Sequence, residues 1–457
     1  MKTYNKDRNK GHKLRLTMLG WELPPYNSGG LGAACLQMAK SLSRKGADID
    51  FILPYSAVHE EANQVMNVIA ANDLLPLVDE YGNYVAMGAY GGTCSICGAR
   101  DCEHIRDYTA GFIGATHKYA DQVERLFRKL YGARGTRRRQ LPDVIHAHDW
   151  LTMEAGIRAR QLVHRPLIVH VHATEFARAG GKPGNPLIHE IEYQGLVAAD
   201  RIFAVSQLTK DVIVRRYGIP ADKIEVVHNA IDPDQLSDIY EATDDYQYVK
   251  KMRALGYKTV VNMGRMTIMK GLTHLLDAAQ LALAKNPRLL FLISGSGEDR
   301  DKLIELAAAH GISDRVIFFP FVRGQRWREL YQLADMFVLP SVSEPFGLTP
   351  LEAAHYGTAI LLSKTAGVGE ILHHVLRFDY WDSRKLADQI INVSMSDALL
   401  SELRDNVRSE YLNENWDDAA DKMLANYGRV MTDYAHGSNH SSTGIQQYDI
   451  KMEGQYA

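Results

Sequence analysis

The sequence has few cysteines, no long apolar run and no excess of either charge. Four cysteines in 457 residues cannot form a disulfide framework for a chain of this size. No stretch approaches the ~18 continuous apolar residues of a membrane span. Lys plus Arg number 52 and Asp plus Glu 55, a formal charge of −3. That balance argues against a protein that coats nucleic acid or lies on anionic lipid. The basic start, MKTYNKDRNKGHK, leads only into the short Leu14–Gly20 segment, interrupted by Arg15. This reads as a first strand and not as a signal-peptide core, so the cytoplasm is the expected location. What is present is ordinary for soluble domains: 46% hydrophobic and 23% charged residues, in a length suited to two or three domains.

Apolar segments of strand length recur with helical patterns between them. The first series is 14–20, 49–53, 144–147, 167–171, 201–205 and 224–227, and the second is 259–263, 289–294, 316–319, 336–339 and 359–362. Most are continuous and not alternating, as expected of parallel strands covered by helices on both faces. The spacing predicts a doubly wound α/β fold occurring twice. An acidic stretch, Ser237–Asp245, separates the two series. The first domain is placed at 1–235 and the second at 250–410. A helix at 411–433 is expected to pack back across the junction, followed by a flexible tail at 434–457.

Three motifs carry chemistry. After the first strand comes Pro24-Pro25-Tyr26-Asn27-Ser28-Gly29-Gly30-Leu31-Gly32, opening an amphipathic helix. Gly29 and Gly30 let the backbone approach a ligand, and the helix start offers N–H groups to an anion. The loop matches neither the dinucleotide fingerprint G-x-G-x-x-G nor a Walker loop, which disfavours an NAD-dependent oxidoreductase. In the second half, Arg265 follows a strand and Lys270 opens the next helix, a pairing suited to a diphosphate. The third motif is Glu344-Pro345-Phe346-Gly347-Leu348-Thr349-Pro350-Leu351-Glu352. The amides of Phe346, Gly347, Leu348 and Thr349 are expected to hold phosphate at a helix start. Glu344 would reach sugar hydroxyls, and Glu352, a turn and a half into the helix, a ribose. The competing reading makes both glutamates helix caps.

The 18 histidines include two H-x-H pairs, His146/His148 and His170/His172, each sharing one strand face. For His146 and His148 no third metal ligand is evident, so a hydrogen-bonded scaffold role is expected. Cys94, Cys97, Cys102 and His104 form a compact cluster in a first-domain insertion near 90–106. A structural zinc and a metal-free thiol loop weigh equally there. Cys35 falls in the apolar pattern of the helix after the glycine loop and reads as core.

Together SGGLG (28–32), DVIHAHDW (143–150), HVHATEFARAG (170–180), GRMTIMKG (264–271) and EPFGLTPLE (344–352) resemble the retaining glycosyltransferases of the GT-B, family 4-like group, which contains glycogen and sucrose synthases. The paired glutamates combined with Arg265 and Lys270 are the specific part. The resemblance implies two facing Rossmann-like domains and a nucleotide-diphosphate sugar donor, UDP- or ADP-glucose. It implies that His172 lies near the transferred sugar, that Arg265 and Lys270 clamp the diphosphate, and that Glu344 and Glu352 contact the sugar and the ribose. It further implies that no cofactor takes part in catalysis. One departure stands out: Asn27 occupies the place of a lysine found in bacterial and plant-type glycogen and starch synthases. An α-glucan or maltodextrin acceptor is the first expectation. The alternatives are a sucrose-type or other small acceptor, and a non-catalytic nucleotide-sugar-binding regulator. No nucleic-acid partner is expected, and self-association is left open.

Overall fold

The computed structural model describes residues 13–26, 30–72, 108–132, 139–233, 236 and 244–437. Two parallel sheets form the frame. The first contains β1 (Arg15–Leu19), β2 (Asp48–Leu53), β3 (Asn67–Ala70), β4 (Val144–His148), β5 (Leu167–Val171), β6 (Arg201–Ala204) and β7 (Ile224–Val226), in the order 3-2-1-4-5-6-7. The second contains β8 (Lys258–Met263), β9 (Leu289–Ser294), β10 (Val316–Phe319), β11 (Met336–Leu339), β12 (Ala359–Ser363) and β13 (Leu376–Phe378), in the order 10-9-8-11-12-13. Central strands such as β4, β5, β9 and β11 are buried at every position, because helices cover both faces. The edge strands β3 and β13 have no place in the sequence reading. They are short and largely half-buried, so they lack the continuous apolar run that marks the others.

Each sheet changes direction once, between β1 and β4 in the first and between β8 and β11 in the second. Ligands of open α/β sheets bind beyond the strand ends at such points. Gly30 follows β1 and the His146/His148 pair lies on β4, while Arg265 and Lys270 follow β8 and Glu344 follows β11.

The chain returns from the second sheet to the first through the Trp416–Gly437 helix. Trp416, Ala420, Met423, Tyr427 and Val430 enter the same core as Ala34, Met38 and Leu42 of the Gly30–Arg44 helix. Each large apolar side chain buried this way contributes about 1.5–3 kcal/mol. The flanking ion pairs Arg44–Asp417 (2.9 Å) and Lys45–Asp421 (2.7 Å) are solvent-facing and worth at most ~1 kcal/mol each, so packing holds this helix. Two boundaries differ from expectation. Tyr411 closes the preceding Asp397–Tyr411 helix, and Asn415 caps a new one by accepting from Asp418 N at 2.9 Å. The helix also runs through 434–437, which the sequence reading assigned to the tail, while 438–457 lie outside the described residues. Tyr246 and Val249, ahead of the boundary placed at 250, already belong to the second core.

The two sheets meet along a polar seam. Glu370 accepts from Gln207 N (2.8 Å) and Leu208 N (3.0 Å), and its Oε2 lies 2.9 Å from His228 Nε2. Ser206 Oγ donates to Pro345 O at 2.5 Å.

Candidate active site between the two sheets

On the second-sheet side, Lys270 and Glu344 form an ion pair of 2.5 Å, and Ser341 Oγ donates to the same Glu344 oxygen at 3.1 Å. Glu344 is only 8% exposed, so its charge depends on these partners. The backbone fixes the pair. Val342 N donates to Met269 O at 2.8 Å, and Glu344 N to Thr365 O at 3.1 Å. Gly271 turns the chain at φ +63°, and a Cβ there would lie 2.1 Å from Pro340 O, which leaves room for no other residue. Arg265 is half-buried just past β8, beside this loop in the chain.

The turn after Glu344 differs from the sequence reading in one respect. The helix begins at Thr349, so Glu352 stands in its first turn and not a turn and a half in. Ahead of it, the N–H groups of Phe346, Gly347, Leu348 and Thr349 find no acceptor among the described residues. The Phe346 side chain is buried against the His228 ring, so only its backbone faces outward chemistry. Glu352 accepts from Tyr331 Oη at 2.6 Å. Burial raises its carboxyl to about 7 despite that hydrogen bond.

On the first-sheet side, Gly29 and the Asn27 departure lie outside the described residues, whereas Gly30 opens the helix. A Cβ on Gly30 would sit 3.4 Å from Leu348 Cδ1, and one on Gly180 would sit 3.7 Å from Val342 Cγ1. The glycine loop and the turn after β5 thus face the Val342–Thr349 segment across the seam. Arg323 Nη1 reaches Pro25 O at 3.4 Å from the other sheet. The helix start is less open to an anion than the sequence suggests, because buried Glu22 already accepts from Gly32 N at 3.3 Å.

His172 follows β5 directly. Its amide and that of Ala173 donate to Asp149 Oδ1 at 2.6 and 3.2 Å. Asp149 stands past β4 at φ +58°, a backbone state rare outside glycine, which aims its carboxylate at this turn. Burial raises the Asp149 carboxyl to about 6, against the pull of Arg178 and the two amides. Arg178 donates to Ala173 O (2.9 Å) and pairs with Glu175 (3.1 Å) and Glu192, and Tyr217 also donates to Glu192. These positioning residues escape sequence reasoning. The only trace is the density of charge in TEFARAGGKPGN beside an apolar strand.

His146 and His148 are both hydrogen-bonded, as a scaffold role requires, and further side chains that could ligate a metal stand beside them. His148 is in register with His170 on the neighbouring strand, so both H-x-H pairs stack on one face of the sheet. Ring centroids are 4.3 Å apart for His146–His148, 4.4 Å for His170–His172 and 5.4 Å for His148–His172. His148 Nδ1 lies 3.2 Å from His172 Nε2, and His146 Nδ1 lies 2.8 Å from Tyr427 Oη of the returning helix. Burial lowers His146 and His172 to about 3 and holds His148 and His170 well below the usual imidazole value, so all four rings are neutral near pH 7. Cys35 is core, as expected, but its sulfur also faces this stack. Cys94, Cys97, Cys102 and His104 lie outside the described residues.

Two parallel α/β units thus carry cation, carboxylate and histidine groups beyond their strand ends, where such sheets bind ligands. The comparisons agree. The family described as Glycosyl transferases group 1 matches residues 247–410, and Glycosyltransferase Family 4 matches residues 93–235. An uncharacterized glycosyltransferase of Methanocaldococcus jannaschii is 29% identical over 92% of this chain and 99% of its own length. A Mycobacterium tuberculosis glycogen synthase is 27% identical over 78% of this chain and 80% of its own. A D-inositol 3-phosphate glycosyltransferase of Rhodococcus opacus is 30% identical over 65% and 70%. Sucrose-phosphate synthase from Thermosynechococcus elongatus shares the fold with a TM-score of 0.66 at 18% identity, covering 92% of this chain and all of that one. Anabaena HepE in complex with UDP and glucose does so at 0.59 and 16%, covering 94% and 100%. The chain belongs to the family 4-type glycosyltransferases and has the GT-B fold. Among the described residues no helix is long and apolar enough to cross a membrane.

Proposed function

We propose that the protein transfers glucose from UDP- or ADP-glucose, with retention of anomeric configuration, to an α-glucan or maltodextrin. The observation that carries this reading is the convergence, across the seam from Gly30 and the His172 turn, of Lys270, Glu344 and four amides without acceptors. The donor diphosphate would sit against Arg265, Lys270 and the 346–349 amides, which stabilise the charge that develops as it leaves. Glu344 would hold the sugar hydroxyls, Glu352 the ribose, and neutral His172 one edge of the transferred ring.

Retention by double displacement needs a carboxylate under the anomeric carbon. Glu344 is already committed to Lys270 and Ser341, so a front-face route is preferred. The acceptor oxygen bonds to the anomeric carbon as the carbon–phosphate oxygen bond breaks. The diphosphate departs with the electron pair, and the acceptor proton passes to a phosphate oxygen. Lys270 and Arg265 take the electrostatic part, so no divalent ion is assigned a step.

The glycogen synthase relative supports a glucan acceptor, and the UDP and glucose bound to HepE support the donor. The inositol-phosphate relative supports a second reading, a small phosphorylated acceptor. The test is nucleoside diphosphate release from UDP-, ADP- and GDP-sugars, with maltooligosaccharides or inositol phosphate, followed by NMR assignment of the product anomer. Release stimulated by maltooligosaccharide with an α-linked product is expected. Stimulation by inositol phosphate alone overturns the acceptor, and an inverted product overturns the mechanism.

A further inference from the structure

The stack around His148 has a property that sugar transfer does not use. Among the described residues His146 Nε2, His148 Nε2 and both nitrogens of His170 have no hydrogen-bond partner, though the three residues are fully buried. Such a shortage of partners in a polar cluster calls for an explanation. At the cleft end of the stack, the ligand atoms of Cys35, His148 and His172 all lie within 4.8 Å of one another. The 3.2 Å between His148 Nδ1 and His172 Nε2 nearly equals the ~3.3 Å edge between two nitrogens on tetrahedral zinc. The inner set, His146, His148 and His170, is less suited. Its ligand atoms also lie within 4.8 Å of one another, but Tyr427 already engages His146 and none of the three rings is exposed to the cleft.

We propose that Cys35, His148 and His172 form an inhibitory site for a zinc-class divalent ion. One sulfur and two imidazoles select a borderline-soft metal over magnesium or calcium, and His172, half-exposed at the cleft, gives the entry route. As the metal–sulfur bond forms, the Cys35 proton goes to solvent. Water from the cleft supplies the fourth ligand. Metal on His172 removes that ring from the transferred sugar, so transfer stops. This inhibitory half rests on the proposed role of His172; the binding half does not.

Cobalt(II) is the probe, because a thiolate ligand gives a charge-transfer band in the near ultraviolet. In a Cys94→Ser/Cys97→Ser/Cys102→Ser background Cys35 is the one remaining cysteine, so any such band comes from it. The band is expected, with one equivalent of cobalt displaced by zinc, and it is absent once Cys35→Ala is added. In the otherwise natural chain, Cys35→Ala keeps transfer and weakens zinc inhibition by about 10²-fold or more, since even residues outside the ligand shell are worth 10–100-fold. That second measurement serves if the triple variant does not fold. A missing band, or inhibition unchanged by Cys35→Ala, overturns the site. Metal binding without inhibition keeps the site and removes the role of His172, while an inactive metal-free enzyme sinks the proposed transfer alone.

Discussion

The two faces of the cleft handle polarity in opposite ways. On the second sheet, Lys270 and Glu344 are both charged and neutralise each other, with Ser341 completing the set. On the first sheet, four imidazoles are held neutral by burial, and several of their nitrogens bond to nothing. Under the proposed transfer, a leaving diphosphate would use the first arrangement and a sugar ring the second. A cationic His172 beside the sugar would disfavour positive charge developing at the anomeric carbon, whereas a neutral ring can orient a hydroxyl without that cost. Under that proposal, the two sheets would divide the labour by how each desolvates its groups.

The sharpest way to break this contrast is to remove the cation. Lys270→Ala should lower turnover by about 10²–10³ if it stabilises the leaving group. It should also destabilise the fold by about 3 kcal/mol, because Glu344 is left charged and nearly buried. Lys270→Ala/Glu344→Gln should recover most of the stability and none of the rate, read by urea denaturation and steady-state kinetics. Recovery of both would make the pair structural.

The neutral side is tested by acid. An unfolded histidine gains a proton below about 6.5, whereas His170 in the fold stays neutral far lower. Stability is therefore lost as pH falls through that window, by about 1.4 kcal/mol per pH unit for this residue. His170→Leu, which deletes two nitrogens without a partner among the described residues, should change little at pH 7.5 and gain stability over the parent as pH falls below about 6.5. Asp149 and Glu352 act with the opposite sign, since burial raises both carboxyls, but they cancel in the difference between the two proteins. Parallel urea midpoints across that range would show that the ring takes up protons in the fold.

How far these groups could be read from sequence follows from how local their signals are. The strands around each switch point are legible because burial on both faces writes continuous apolar runs, and the edge strands β3 and β13 are not, because half-burial writes none. Lys270 and Glu344 stand 74 residues apart, yet each sits directly past a strand end, so the motifs locate them. Their ion pair is not legible, since it depends on Gly271 pressing one loop against the other. The histidine stack was within reach: two H-x-H motifs on adjacent parallel strands must share a face once the register is known, and only the register was missing. Asp149 lies in DVIHAHDW and Arg178 in HVHATEFARAG, but no residue pattern marks their roles or that of Glu192, which exist only through contacts around the His172 turn.

Glu352 gives a milder test on the charged side. With its carboxyl at about 7, most of it is protonated at pH 6 and ionised at pH 8. If ribose hydroxyls donate to the carboxylate, donor affinity should rise about tenfold between these values, following the ionised fraction. Glu352→Gln should flatten that profile in calorimetry. The same shift means that Glu352 lowers stability as pH rises from about 4.5 toward 7, because the unfolded carboxyl releases its proton first. An unchanged profile in the variant would assign the residue to Tyr331 alone.

Glu370, on the seam itself, should show the smallest effect. Its side chain is spent on Gln207 N, Leu208 N and His228. Burial opposes its charge, yet the His228 and amide hydrogen bonds win and hold the carboxyl below its usual value. A depressed carboxyl contributes stability above its unfolded value, and that contribution is lost as pH falls through the folded one. Glu370→Ala removes a carboxylate from a helix start, so a loss of about 1 kcal/mol is expected, present at pH 7 and shrinking toward pH 4. Because its partners belong to the other sheet, the variant should also be less compact in small-angle scattering, with Lys270 and His172 untouched. A variant equally compact and equally stable would mean that packing of the Trp416–Gly437 helix alone sets how the charged and neutral faces meet.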